Sequence, residues 1–436
     1  MYALSDITVL DLTDEKGVYA GKLLADMGAN VIRIEPLSGN KTRLIGPFFM
    51  DNVSEESSLY NWYHNTNKKS VTLDLSTKEG IEILKQLCLK TDILLESFDN
   101  NYLESMGLRY EDISKENSTL IWTAISGFGR TGPYANYKTT DLVALSLGGP
   151  VASCGYDHLP GNPPMCPDGW AGYYTGSHYA AISTLVALIY RDITNKGQYI
   201  DVSIHEAISS STEAALPMYI YQKAVPLRQT GRHHSITPTP PAIYRCIDGG
   251  MIHVFGTPPQ DLNRWSKLLE WIQESQDASE LLSHKYEEMV TLRKRDSDLM
   301  FTLFSYIGHL INSLDSEYVF NRAQSIGLPW GLIRSPEDNV ADKHFWERGF
   351  FIDISSGNEE KPTYFPGAPY IFNKTPWRIR GFSPKLGQRS RIQCAIQDSR
   401  SSKRPSPATA AGAPHGAMPR RNHPMITSSS AACNTC

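Results

Sequence analysis

The first 35 residues switch twice between the apolar period of a strand and that of a helix, and this alternation narrows the possible folds more than any other feature. Ile7 to Leu12 (ITVLDL) is a short run rich in strand formers. Gly17 to Met27 (GVYAGKLLADM) places Val18, Leu23, Leu24 and Met27 at helical spacing, and Asn30 to Glu35 (NVIRIE) reads as a second strand stopped by Pro36. A strand, helix and strand within so short a span form a βαβ unit, which requires a parallel sheet and a right-handed crossover. The pattern resumes with a strand over Val71 to Leu75, a helix over Thr77 to Cys88, and strands over Ile93 to Glu96 and Leu120 to Ser126. A long apolar helix is expected from Tyr173 to Arg191, a strand over Gln198 to Ser203, and a helix over Ile204 to Gln222. The fold class expected is α/β.

Beyond this the organisation changes. Arg228 to Pro241 (RQTGRHHSITPTPP) is polar and proline-rich and reads as a linker. Ala242 to Gly256 reads as a β-hairpin turning at Asp248-Gly249-Gly250. Residues 260–326 are mostly helical by periodicity, and Leu328 to Gly367 mixes loops with short strands. No internal repeat is present. From Arg389 onward the chain is rich in Ser, Ala and Pro and has little to bury, so this tail is expected to be disordered.

Charge separates the same parts. The chain carries 42 Lys and Arg against 46 Asp and Glu, a formal charge of −4. The tail holds seven of the bases and one acid, Asp398, so residues 1–388 carry 35 bases against 45 acids. An acidic body argues against bulk nucleic-acid binding, which needs clustered Lys and Arg. A polyanionic ligand would have to be held by local cations and backbone N–H groups. No apolar run reaches the roughly 18 to 20 residues of a membrane span. The start lacks the basic and then apolar pattern of a secretory signal, so a reducing cytoplasm is the expected location. Of seven cysteines only Cys433 and Cys436 form a CxxC pair, which cannot complete a four-ligand zinc site, and no metal is expected.

The first βα turn, Thr13-Asp14-Glu15-Lys16-Gly17, lacks GxGxxG and carries two acids, which argues against NAD or FAD. GxxxxGK[ST], HExxH and GxSxG are absent. Ser126 to Tyr134 (SGFGRTGPY) follows a strand and sets small residues around Arg130. It is either an anion loop with its own cation or a surface turn whose glycines serve geometry. Lys138 offers a second cation or a solvated lysine ahead of a helix capped by Thr140 or Asp141. Asp168, the carboxylate of the loop before the long apolar helix, is a poised nucleophile or a helix cap. Asp157 is a weaker alternative, and His233-His234 are structural or substrate-facing.

Together these segments resemble the family III CoA-transferases, the group that includes formyl-CoA transferase, carnitine CoA-transferase and α-methylacyl-CoA racemase. The resemblance runs through Val9 to Glu35, Ser70 to Leu75 (SVTLDL), Leu95 to Leu108, Ile125 to Tyr134, Asp141 to Gly149 (DLVALSLGG), Lys196 to Ser203 and Ala341 to Phe351. It covers roughly residues 4 to 387. It implies a Rossmann-like large domain built from both chain ends (1–225 and 331–388), a smaller α+β domain over 226–330, and two interlocked subunits, identical or homologous. It also implies transfer of CoA from an acyl-CoA to a carboxylic acid through an aspartyl-CoA thioester, with the CoA thioester as substrate and no permanently bound cofactor. A carboxylate is a competent nucleophile, and the covalent intermediate conserves the thioester energy.

Carried over by position, the resemblance assigns Lys138, Arg130 and Arg43 to the CoA, with Leu73, Leu75 and Phe98 lining it; Asp168 is taken as the nucleophile the reaction needs because it is the only carboxylate of the loop before the long helix. An ungapped match of Ala180 to Leu188 (AAISTLVAL) to the family helix puts Tyr173 at the nucleophile's position, five residues after Asp168. A racemase of this fold needs a histidine before Asp141, where Thr140 stands. The remaining alternative is a non-catalytic CoA-binding subunit paired with an active homologue.

Overall fold

The computed structural model describes residues 2–155, 162–167, 169–212, 215–229, 232–292, 296–354 and 363–389. Asp157, Asp168 and the tail from 390 lie outside the described residues, and so do the side chains of His233 and His234.

Six strands form one sheet: β1 (Thr8–Leu12), β2 (Asn30–Glu35), β3 (Lys69–Thr72), β4 (Ile93–Glu96), β5 (Ile121–Ser126) and β6 (Tyr199–Ser203). Their order is β3-β2-β1-β4-β5-β6 and every pairing is parallel. Leu10 sits opposite both Ile32 and Leu94, which fixes the centre of the register. Helices cover both faces, so the strands read as nearly continuous apolar runs. Successive residues point to opposite sides. Val9, Val31, Ile93, Leu95, Ile121 and Ile125 pack on one face, with α1 (Val18–Asp26) and α8 (Ala171–Thr194). Leu10, Ile32, Leu94, Trp122 and Ala124 pack on the other, with α3 (Lys78–Cys88) and α5 (Tyr110–Glu116). Shorter helices complete this region: α2 (Leu59–His64), α4 (Tyr102–Ser105), α6 (Asp141–Gly148), α7 (Pro150–Ser153) and α9 (Ile204–Ser210).

A second core gathers residues 246–330. Strands β9 (Ile243–Arg245), β10 (Met251–His253) and β11 (Gly331–Ile333) form an antiparallel sheet in the order β11-β10-β9. Helices α10 (Leu262–Gln273), α11 (His284–Thr291), α12 (Ser297–Asn312) and α13 (Ser316–Ile326) pack Trp265, Trp271, Phe304 and Ile307 beside it, joined by Trp330 from the segment before β11.

The chain then returns to its beginning. The Arg378 amide donates to the Asp26 carbonyl at 3.0 Å, and an Arg380 guanidinium nitrogen donates to the Ala25 carbonyl at 2.6 Å. Arg43 donates to the Pro384 carbonyl at 3.2 Å, and the Arg389 amide to the Ser70 carbonyl at 3.0 Å.

Three elements differ from the sequence reading. β3 begins at Lys69, two residues before Val71, because parallel pairing of Lys69 and Ser70 with Ile32 and Arg33 needs backbone groups and not apolar side chains. The helix from Ile204 stops at Ser210, and a separate π-helical turn spans Met218–Gln222. The stretch read as a linker contains a hairpin of β7 (Leu227–Gln229) and β8 (Arg232–Ser235).

Candidate active site

An open parallel sheet binds its ligands beyond the carboxyl ends of the strands, where the strand order reverses. Here that point lies between β1 and β4, so the loops after β1, β4 and β5 should build the site.

The loops are tied to one another. The Asp14 amide donates to Ser97 Oγ at 2.8 Å, and that hydroxyl donates back to Asp14 Oδ1 at 2.7 Å, joining the β1 loop to the β4 loop. Lys16 donates to Asp14 Oδ2, while Lys41 lies 2.7 Å from Glu15 Oε1 and 3.3 Å from Asp14 Oδ2. Arg130 joins the β5 loop to β4. Its guanidinium donates to Glu96 Oε1 at 2.5 Å and to the Phe98 carbonyl at 3.1 Å, and its amide donates to Asp201 Oδ2 at 2.8 Å. Burial raises the Glu96 carboxyl, against the pull of Arg130. Arg130 therefore holds the loop in shape and does not stand free for an anion.

Lys138 differs. It is 83% exposed and lies 2.6 Å from Asp99, a surface pair that a phosphate can displace at small cost. Phe98 stacks on Tyr102 at 4.6 Å between ring centres, and packs with Leu75 against the cluster containing Leu73. The structure sets Arg130 against the Phe98 carbonyl and Lys138 against Asp99, both on the β4 loop, whereas Leu73 and Leu75 follow β3, three strands away in the sheet order. A cavity of about 220 Å³ opens beside the β4 loop, lined by Phe98, Tyr102, Tyr110, Trp122, Arg130 and Tyr199.

Arg43 does not join this group, contrary to the expectation that it reaches the CoA. It is buried, and its Nε and Nη2 grip Glu35 at 2.7 and 2.8 Å. This pairing, with Arg33 and Ser70 alongside, holds the Glu35 carboxyl down at about 2 despite burial. Apolar patterning does not reveal such a pair, because Glu35 ends β2 and Arg43 is carried back to it by a helical turn eight residues later.

The long helix enters from the far side of the crevice. Its first turn is capped from another helix: Asp141 Oδ1, at the start of α6, accepts the Tyr173 amide at 2.8 Å and also takes the Gly172 amide. Thr140 caps α6 itself, accepting the Val143 amide at 3.3 Å. Trp170 precedes α8 with φ of 62°, an uncommon left-handed entry for a bulky residue. Its ring lies 5.7 Å from Tyr173 and 5.8 Å from Tyr60. Tyr173 is buried, and burial together with Glu15, Asp14 and Asp141 raises its hydroxyl far above the ordinary tyrosine range. A phenol so protonated is no nucleophile. Ser177 Oγ, one turn on, donates to the Lys16 carbonyl at 3.3 Å, which fastens α8 to the β1 loop.

Behind this turn sits a phenol–imidazole pair that the sequence did not signal. His64 Nδ1 lies 2.8 Å from the Tyr60 carbonyl and must donate to it, so Nε2 accepts the Tyr174 hydroxyl at 2.8 Å. Burial lowers the imidazole to about 3, so it is neutral. Among the described residues no group of three His, Cys, Asp or Glu is placed to hold a metal ion, and no helix is long and apolar enough to cross a membrane.

With this geometry in place, comparisons with known proteins give the family. The model of CoA-transferase family III matches residues 4–390. The chain belongs to CoA-transferase family III. It is 28% identical over 397 residues to the succinyl-CoA:(R)-benzylsuccinate CoA-transferase subunit BbsE of Thauera aromatica, covering 89% of this chain and 94% of that one. It is 30% identical over 391 residues to the succinate–glutarate CoA-transferase of Agrobacterium fabrum, covering 88% and 93%. The crystal structure of a CAIB/BAIF family protein from Brucella suis superposes with a TM-score of 0.72 at 27% identity, covering 91% of this chain and 99% of that chain. Membership of family III makes the protein a CoA-transferase acting on CoA thioesters.

Proposed function

We propose that the protein moves CoA from a dicarboxylic acyl-CoA, with succinyl-CoA the first to test, to a second carboxylic acid by a ping-pong route. The observation that carries this reading is the crevice itself: at the switch point the loop after β1 is tied to the loop after β4 and to Ser177 of α8, and Arg130 ties the loop after β5 to β4. The named activities of the two relatives supply the donor class. Lys138 would take the CoA phosphates, while Leu73, Leu75 and Phe98 would line the nucleotide end. Arg130 would shape the loop through Glu96. A carboxylate at the mouth of α8 would carry the CoA as an acyl thioester. Asp168 is the candidate as the carboxylate of the loop before α8, and it lies outside the described residues.

The separate core over 246–330 and the return of residues 378–389 to the first strands support a large domain made from both ends and a small domain between them. Ile182, Val186, Ile189 and Ile193 are exposed along one face of α8, which suits a partner subunit. That relative from Thauera is named as a subunit, so a hetero-oligomer in which this chain binds CoA without turnover is the second reading.

Isotope exchange tests the proposal. Labelled succinate should appear in succinyl-CoA with no second acid present, since the first half-reaction is reversible alone. CoA binding without exchange from any acyl-CoA would favour the non-catalytic subunit.

A further inference from the structure

The first part of α8 packs through small residues and apolar contact. A Cβ at Gly176 would meet Ile204 at 2.7 Å, and one at Gly172 would meet Asp141 Oδ1 and Ile208 at 3.0 Å. Apolar contact is non-directional, so it leaves the helix free to shift along its own axis. Directional bonds must set the first turn in register over the crevice. Trp170, the N-cap, brings no side-chain hydrogen bond, so those bonds come from other elements. Asp141 of α6 takes the opening amides, and Ser177 reaches the Lys16 carbonyl. The third bond joins Tyr174 to His64 of α2. His64 is 3% exposed and engaged at both ring nitrogens: Nδ1 donates to the Tyr60 carbonyl and Nε2 accepts the Tyr174 hydroxyl, each at 2.8 Å. Tyr60 stacks on the imidazole at 4.0 Å, Tyr63 meets it edge-on at 5.1 Å, and Tyr19 meets Tyr174 edge-on at 4.6 Å. Apolar side chains of the same shape would fill this space without desolvating a phenol and an imidazole. What the polar pair adds is direction. α2 is itself a fixed point, since Ser58 caps it at the Asn61 amide and Asn61 donates to Ser383 Oγ at 3.2 Å.

We infer that His64 is a positioning residue for CoA transfer: through the Tyr174 hydroxyl it sets the first turn of α8, and with it the loop whose carboxylate the reaction proposed above would use, so the inference rests on that reading. Asp168 stands six residues before Tyr174 in the chain. Between them Gly169 and Trp170 are both left-handed, with φ of 81° and 62°, which commits the chain to one direction as it leaves the helix. The Trp170 ring lies 5.7 Å from Tyr173 and 5.8 Å from Tyr60, and Tyr60 is the residue whose carbonyl His64 holds. One imidazole therefore orders both walls against which Trp170 rests. His64 acts through Tyr174 and exchanges no proton with the substrate. A reacting group displaced by an ångström loses about a hundredfold in rate, which is the scale on which such a bond matters.

The test reads the exchange of labelled succinate into succinyl-CoA. Tyr174→Phe removes one oxygen, and His64→Phe keeps a ring on Tyr60 but has no acceptor. Each should lower kcat about 10–100-fold, with the KM for succinyl-CoA and the Kd for free CoA within about twofold of wild type. The double variant should be no slower than either single one, because both remove the same bond. His64→Gln should recover kcat to within about threefold, since its side-chain oxygen stands where Nε2 stands and accepts the same hydroxyl. A pair that served folding alone would lower thermal stability and leave kcat per folded molecule unchanged. Wild-type kcat in Tyr174→Phe, additive losses in the double variant, or His64→Gln as slow as His64→Phe overturns the inference and leaves CoA transfer standing. A wild-type protein without succinate exchange overturns the transfer reading and the inference with it. If His64→Phe fails to fold, Tyr174→Phe and His64→Gln decide.

Discussion

The two cores of the molecule are built on opposite principles. Around the parallel sheet the described interior holds Asp11, Asp26, Glu35 and Glu96 against Lys22, Arg33, Arg43 and Lys68, four acids balanced by four bases. Asp11 alone meets Lys68 at 2.8 Å and Arg33 at 3.7 Å. The core over 246–330 is apolar throughout, with Trp265, Trp271 and Trp330 at its centre and no buried charge among its described residues. Buried ion pairs rarely add net stability over apolar packing. Their concentration on one side of the molecule marks where the fold holds rigid polar geometry, and the crevice lies directly above it.

The sharpest way to break this contrast is to change one atom in each core. Asp11→Asn keeps the shape but leaves Lys68 without its anion and Arg33 with Glu35 alone, and a loss of about 3–5 kcal/mol is expected in denaturant unfolding. Acid should separate the regions next. The folded Glu35 carboxyl titrates at about 2, below its ordinary 4.5, so its contribution of about 3 kcal/mol is present above pH 4.5 and is lost as pH falls towards 2. His64 acts in the same direction. Its folded value of about 3 lies below the ordinary 6.5, so the unfolded chain takes up a proton first as pH falls through 6.5. Hydrogen exchange should therefore show peptides 8–35 and 59–72 losing protection between pH 6 and 3 while 262–312 keep theirs. Equal loss in both would end the distinction.

Ile307→Val, a methylene removed from the apolar core, should cost only about 0.5–1.5 kcal/mol in the same unfolding assay that reads Asp11→Asn. The smallest stability effect belongs to Lys138→Ala, within about 0.5 kcal/mol because the pair is exposed. Steady-state kinetics should nevertheless show the KM for the CoA thioester raised roughly tenfold with kcat unchanged.

The same contrast explains what could be read from the chain. Strands β1, β2, β4 and β5 were legible because a sheet covered on both faces writes its burial as apolar runs. The helices over 262–326 were legible from their period. The grip of Glu35 on Arg43, of Glu96 on Arg130 and of Asp141 on the α8 amides was not, because each joins separate elements and leaves no local pattern.

The return of the C-terminal segment has a consequence for synthesis on the ribosome. Arg43 Nη2 gains the Pro384 carbonyl, 341 residues later. At about 5–20 residues per second that carbonyl is made roughly 15–70 s after the arginine. During that interval the first βαβ units must wait with a guanidinium only partly satisfied. The emerging N-terminal half is therefore the stretch of this chain for which a chaperone has most to do.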